Sequence, residues 1–394
     1  MSAPAWAEEL GPGLDAALVV AVVSCAVSPW ATPEALRRVL AARLERGAAT
    51  GVEDVVAELA HPPLGAASPE PAVIERAART LLAVGARVVV AGCPGYPPAL
   101  VQTWPELGAP AWLFVRPAPP PAGPCVAVVG TRRASLDGLR TARALGAFLA
   151  ERGVGVVSGL ARGIDQAAHQ GALDRAGVTV GVLGTGFGVD YPRGDGRLRA
   201  AVSASGGLVT EYAVGAPPRP PHFLWRNRII SGLASVVVVV EGRARSGALQ
   251  TARLAAAQGR DVFAVPGSLN AATSRGPLDL IRDGACVLTA FDDVLQALDS
   301  PAWVDHRQGV AATALAVPAA GGQPGPAPAG PAAGLEHEAL VVLDLLGSVP
   351  STPGQLAARA RLPIATTLAV LGALEQRGLA AHTARGFVTS ARAG

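Results

Sequence analysis

The 394-residue chain has no lysine: all 33 of its basic residues other than histidine are arginine. That absence removes whole mechanisms. A Walker-type loop needs a lysine on the terminal phosphates, and Schiff-base chemistry needs a lysine amine, so both are closed to this chain. Cysteine is scarce. Cys25, Cys93, Cys125 and Cys286 lie far apart and form no C-x-x-C pair. With no signal peptide, they are expected as reduced thiols in the cytoplasm. Long hydrophobic runs are missing too. The apolar stretch at 16–23 is extended only by Ser24 and Cys25, too short to span a bilayer, so a buried helix and no membrane association are expected. No metal and no cofactor is expected.

What is present reads as globular: half the residues are apolar and 16% are charged, over a length suited to two or three domains. The net charge of +3 hides an uneven distribution. Residues 125–290 hold 19 arginines against 11 acids, whereas the stretches before and after are net −3 and −2. A basic middle between acidic ends fits an anionic partner, nucleotide or nucleic acid.

Residues 1–90 read as helical, with helix periodicity at 35–47 and 52–60 and a Thr32-Pro33 helix start. RVVV (87–90) looks like a strand, followed by the Pro-rich GYPPAL, an irregular stretch to Pro124 and the stiff connector PAPPPAG (117–123). From Cys125 short β-branched runs alternate with helical stretches: CVAVVG (125–130), VGVVSG (154–159), VTVGVLG (178–184), GLVTE (207–211), SVVVVVE (235–241) and DVFAVPG (261–267). This predicts an α/β fold, a Rossmann-like doubly wound sheet whose ligands gather at the carboxyl ends of the strands. The expected organisation is a helical domain at 1–90, the sheet domain at 91–300, an Ala/Pro/Gly linker at 301–334 and a small winged-helix domain at 335–394. In that last segment a third helix at 365–378 precedes an extended pair at 379–390, and its few charges suit protein contact better than duplex reading.

Four clusters sit at the predicted strand ends. GTRRAS offers Gly130 for close backbone approach, with Thr131, and Arg132 and Arg133 as forked phosphate donors. SGLARGIDQAAHQGAL offers Ser158, Gly159, Arg162 and Gly163 at a helix start suited to an anion. There Asp165 and His169, four apart, suggest either an acid–base pair or a brace for the helix, and with no nucleophile nearby the brace is preferred. GTGFGVDYP is not the dinucleotide fingerprint, because its glycines follow the third strand with G-x-G-x-G spacing. The fourth cluster places Arg226, Asn227 and Arg228 at the start of an apolar helix, and Arg243, Arg245, Ser246 and Gly247 at another. Phe187, Phe223 and Trp225 nearby are candidates to stack on bases, or simply to pack in the core.

These motifs, in this order, resemble the DNA-processing protein A family (DprA, also called Smf), with GYPPAL, GLVTEY, RNRIISGL, EGRARSGALQTA and VFAVPG as further signatures. The resemblance spans about residues 94–298. It implies a non-enzymatic protein that binds single-stranded DNA and helps load RecA in transformation and recombination, acting as a homodimer. It also implies a pocket lined by Arg132, Ser158–Gly163, Asn227 and Arg228, with helical and winged-helix flanking domains. The chain departs from the family pattern at Thr131, at Phe223-Leu224 and at Gly276-Pro277-Leu278, and where relatives use lysine either Arg162, Arg193, Arg197 or Arg243 must serve or the grip on DNA is weaker. The rival readings are a Rossmann-like nucleotide sensor and a nucleoside-monophosphate phosphoribohydrolase. The latter's Pro-Gly-Gly-x-Gly-Thr-x-x-Glu loop has no counterpart at residues 245–251, which carry no acid.

Overall fold

The computed structural model describes residues 4–298, except 47, 49, 104–108 and 121–122. Towards the C-terminus it describes 341–343, 345–346, 351, 353–360, 367, 370–371, 374, 379–383 and 386–389. The chain divides into two compact units, Met1–Leu298 and Asp299–Gly394. Among the described residues no helix is long and apolar enough to cross a membrane.

The first unit opens with five helices, α1 (Ala5–Leu10), α2 (Ala16–Val27), α3 (Pro33–Glu45), α4 (Val52–Ala60) and α5 (Pro71–Ala83). Two of the starts, those of α2 and α3, are capped by side chains. The Asp15 carboxylate accepts from the amides of Ala17 and Leu18 at the head of α2. Thr32 caps α3 with Pro33 in its first turn. The run at 16–23 is the buried helix the sequence predicts, contributing Leu18, Val19, Val22 and Val23 to the core.

A nine-stranded sheet follows: β1 (Arg87–Val90), β2 (Trp112–Arg116), β3 (Cys125–Val129), β4 (Gly155–Ser158), β5 (Thr179–Val182), β6 (Leu208–Thr210), β7 (Val236–Val239), β8 (Asp261–Ala264) and β9 (Cys286–Val287). Their spatial order is β1-β2-β6-β5-β4-β3-β7-β8-β9. The pairs β1–β2 and β2–β6 are antiparallel and the rest parallel, so the sheet is mixed but mostly parallel. Two strands depart from expectation. β2 lies inside the stretch read as irregular, where WLFVR is buried between Pro-rich flanks and bridges β1 to β6. The short β9 adds an edge beyond β8.

Winding proceeds outward from β3 in both directions, which places the topological switch point between β3 and β7. Side chains alternate across β3: Val126 and Val128 pack with helices α7 (Leu136–Glu151) and α8 (Ile164–Asp174), while Ala127 and Val129 pack with α10 (Pro220–Leu233) and α11 (Gly247–Ala257). The unbroken valine run of β7 is covered on both faces, as a parallel interior strand requires. The remaining helices of this unit are the short α6 (Pro98–Val101), α9 (Gly196–Ser205), α12 (Arg275–Arg282) and α13 (Asp292–Leu298). The five N-terminal helices share one apolar cluster with Val88, Val90, Trp112 and Phe114 of β1 and β2. The α/β layer and the helical bundle are thus continuous, and β1 belongs to the sheet.

In the second unit, α14 (Pro353–Ala360) and the antiparallel hairpin β10 (Ala380–Thr383)–β11 (Gly386–Thr389) enclose a core that includes Val342, Leu356, Leu371, Leu374 and Phe387. Ser351 adds an antiparallel bridge to Phe387. The linker at 301–334 and most of the third helix at 365–378 lie outside the described residues.

Candidate nucleic-acid interface

Because β3, β4, β5 and β7 run parallel, the loops that leave them gather at one edge of the sheet. Three of these loops are locked together. The Thr131 amide donates to the Glu241 carbonyl at 2.8 Å, and the Ile164 amide donates to the Thr131 carbonyl at 3.3 Å. Gly163 makes that dock possible. Its φ of +86° suits glycine, and a side-chain carbon there would lie 2.4 Å from the Thr131 carbonyl oxygen.

The acid–base reading of Asp165 and His169 does not survive the geometry. Asp165 Oδ2 accepts from the amides of Gly159 and Ala161, at 3.1 and 3.4 Å, and so braces the turn that presents Arg162. Burial pushes its carboxyl above the usual range, opposed first by the Arg226 charge. His169 faces Thr179 instead, with Nδ1 2.6 Å from Oγ1. That hydroxyl also lies 3.1 Å from the Val156 carbonyl, so the ring is tied to the starts of β4 and β5, the strands beside α8, rather than to Asp165. Burial, reinforced by Arg226, drives the His169 pKa down to about 3, so the ring is neutral at pH 7. Ser158, expected on the pocket wall, is fully buried, and its hydroxyl donates to the Val128 carbonyl at 2.6 Å.

The RNR motif also lies inside. Helix α10 begins at Pro220, so Arg226, Asn227 and Arg228 occupy its middle rather than its start, and they are 4%, 7% and 6% exposed. Arg226 donates to the Gly159 carbonyl at 2.8 Å and to the Val182 carbonyl, joining the ends of β4 and β5. Its pKa falls to about 10 through burial, which still leaves it charged. Gly159 is glycine for this reason, since a side-chain carbon there would sit 2.5 Å from the guanidinium. Asn227 Nδ2 donates to the Gly247 carbonyl, at the start of α11, over 3.2 Å. Arg228 grips both oxygens of buried Glu211, at 2.6 and 2.7 Å. Phe187 is 2% exposed and packs in the cluster shared with the N-terminal helices, with Arg116 5.9 Å over its ring. Its ring serves the core rather than a base.

What faces outward is a rim of guanidinium groups. Arg132, Arg133, Arg162, Arg243 and Arg245 are exposed, as is Gly247; Gly130, Thr131 and Ser246 are half-buried. Arg132 lies 5.3 Å over the ring of half-buried Phe223, which in turn packs on Tyr191 with centroids 5.0 Å apart. This Arg–Phe–Tyr stack is an aromatic floor beside the rim. Sequence reasoning named Phe223 but missed Tyr191, whose signal was the YP step closing the loop after β5. Trp225 turns away, under Arg37 of α3 at 5.1 Å. Glu241, also missed, accepts from the Ser135 amide and hydroxyl at the head of α7. Among the described residues no group of His, Cys, Asp and Glu is placed to hold a metal.

Comparison with known proteins agrees with this architecture. The chain is 48% identical over 174 residues to Protein Smf of Escherichia coli K12, covering 44% of this chain and 46% of that protein. It is 44% identical over 172 residues to the DNA processing protein DprA of Streptococcus pneumoniae R6, covering 44% of this chain and 61% of that one. The chain thus spans about half the length of the curated relatives it matches. The X-ray structure of DNA processing protein A from Streptococcus pneumoniae superposes with a TM-score of 0.54 at 32% identity, over 71% of this chain and 96% of that one. Residues 87–299, which hold the whole sheet and its loops, match the model of one family. On that match the chain belongs to the DNA recombination-mediator protein A family.

Proposed function

We propose that this chain binds single-stranded DNA along the arginine rim and acts as a recombination mediator that promotes RecA loading, without catalytic turnover, in DNA recombination and natural transformation. The observation that carries the reading is the pairing of exposed Arg132, Arg133, Arg162 and Arg243 with the half-buried Tyr191–Phe223 floor. Guanidinium groups hold backbone phosphates, and an aromatic floor offers unpaired bases a stacking surface, a combination suited to single strands. Gly130, Thr131, Ser246 and Gly247 line the rim in this reading. Gly159, Gly163, Ser158, Asn227, Arg226 and Arg228 shape it from beneath.

A homodimer, a cytoplasmic location and a winged-helix domain complete the proposal. The last is supported by the β10–β11 hairpin and the Ser351 bridge packed on an α14-containing core. The test is equilibrium binding of single- and double-stranded oligonucleotides across a salt series. A strong single-strand preference is expected, with a log–log slope near −3 to −4 for about 4–6 neutralised phosphates. Equal affinity for duplex, or no salt dependence, would sink the reading. RecA loading is tested by displacement of single-strand-binding protein by RecA with and without this protein.

A further inference from the structure

In an open α/β sheet the switch point is where a nucleotide seats its phosphates, on the N-terminus of the helix after the central strand. Here the strand is β3, the helix is α7, and the loop after β7 forms the opposite wall. The chain fills this seat itself. The Ser135 amide and hydroxyl donate to the two carboxylate oxygens of Glu241, at 3.0 and 2.6 Å. The Ser135 hydroxyl oxygen also accepts from the Gly138 amide at 3.0 Å, completing the cap. Gly138 lacks a side chain where Glu241 lies against it: a carbon there would sit 2.6 Å from the carboxyl carbon. The Thr131 amide, bound to the Glu241 carbonyl, closes the crevice above. A hydroxyl, an amide and a first-turn glycine are the groups such a fold offers a phosphate.

We infer that Glu241 is a specificity-determining residue. Its carboxylate stands where a phosphate would, shutting the seat to mononucleotides and dinucleotides. A strand is then held by its internal phosphates on the rim, and a phosphorylated 5′ end gains nothing. The inference rests on the single-strand reading for what the rim holds, but not for what the seat excludes.

The test uses the full chain, wild type, Glu241→Gln and Glu241→Ala, with three probes: 5′-dTMP, a 5′-hydroxyl oligothymidylate and its 5′-phosphorylated form. The wild type is expected to show no saturation by dTMP up to millimolar concentration, and the two oligonucleotides should bind within about twofold of each other. Glu241→Ala should bind dTMP at least about tenfold more tightly, as a charge-assisted contact to the freed donors would give, with oligothymidylate affinity kept within about threefold. Micromolar dTMP binding by the wild type, or a marked preference for the phosphorylated end, overturns the inference. So does a failure of both variants to gain dTMP affinity while their circular dichroism matches wild type. Should Glu241→Ala not fold, Glu241→Gln and the wild-type comparison decide. Failure of the wild type to bind either oligonucleotide removes the single-strand reading instead, and the dTMP comparison still judges the seat.

Discussion

An arginine on the rim and an arginine beneath it respond differently to substitution. Arg132→Ala removes an exposed guanidinium, so it should weaken single-strand binding by on the order of 1–3 kcal/mol and flatten the salt slope by about 0.7. Arg226→Gln should also weaken binding, but with an unchanged slope, because Arg226 bonds the Gly159 and Val182 carbonyls and neutralises no phosphate. A salt titration of both variants separates the two roles. Arg228→Ala leaves Glu211 buried without its partner, so the expected cost is about 3–5 kcal/mol of stability, read by urea unfolding. His169 supplies a pH dependence. Its pKa falls from the ordinary 6.5 to about 3 in the fold, so its contribution is complete above pH 6.5 and is lost as pH falls towards 3. At pH 5 the wild type should have lost about 2 kcal/mol relative to His169→Gln. Taking that difference cancels the smaller downward shift of His222 and the upward shifts of Asp165 and Glu211.

At the level of elements, the loops and helices around the site depend on glycines at points of close approach. Gly163→Ala combines a positive φ with a clash against the Thr131 carbonyl, and should undock the loop before α8. A loss of about 1–3 kcal/mol in stability, with weakened strand binding, is the expected readout by thermal melts and titration. Helices α7 and α8 cross tightly at Gly171, where a side-chain carbon would lie 1.9 Å from the Arg143 carbonyl oxygen. Five of the parallel strands, β3, β4, β5, β7 and β8, were legible in sequence because they are apolar runs that stop at glycine or a polar residue. β2 was not, because proline-rich flanks on both sides of WLFVR read as irregular chain. The rim arginines were legible as basic residues following strands. The burial of Arg226 and Arg228 was not: a polar triplet reads as surface, and their acceptors come from Gly159, Val182 and Glu211, supplied by three other strand ends. Polar residues at the centre of a helix can be placed only once those partners are known.

For the molecule as a whole, the unit Met1–Leu298 holds the sheet, its loops and the helical bundle, with the apolar cluster of the bundle running into β1 and β2. A chain ending at Leu298 should therefore fold and bind single strands within about threefold of the full chain, since every rim contact is retained. A large loss of affinity would instead assign strand contacts to Asp299–Gly394. The fork of Arg226 has a thermodynamic consequence at this scale. By clamping two strand ends with one rigid planar group, it fixes the loops before any ligand arrives. Binding then imposes its ordering cost on the flexible strand and little on the protein. Calorimetry should accordingly find a modest heat-capacity change, set by base stacking on the aromatic floor rather than by coupled folding of the protein.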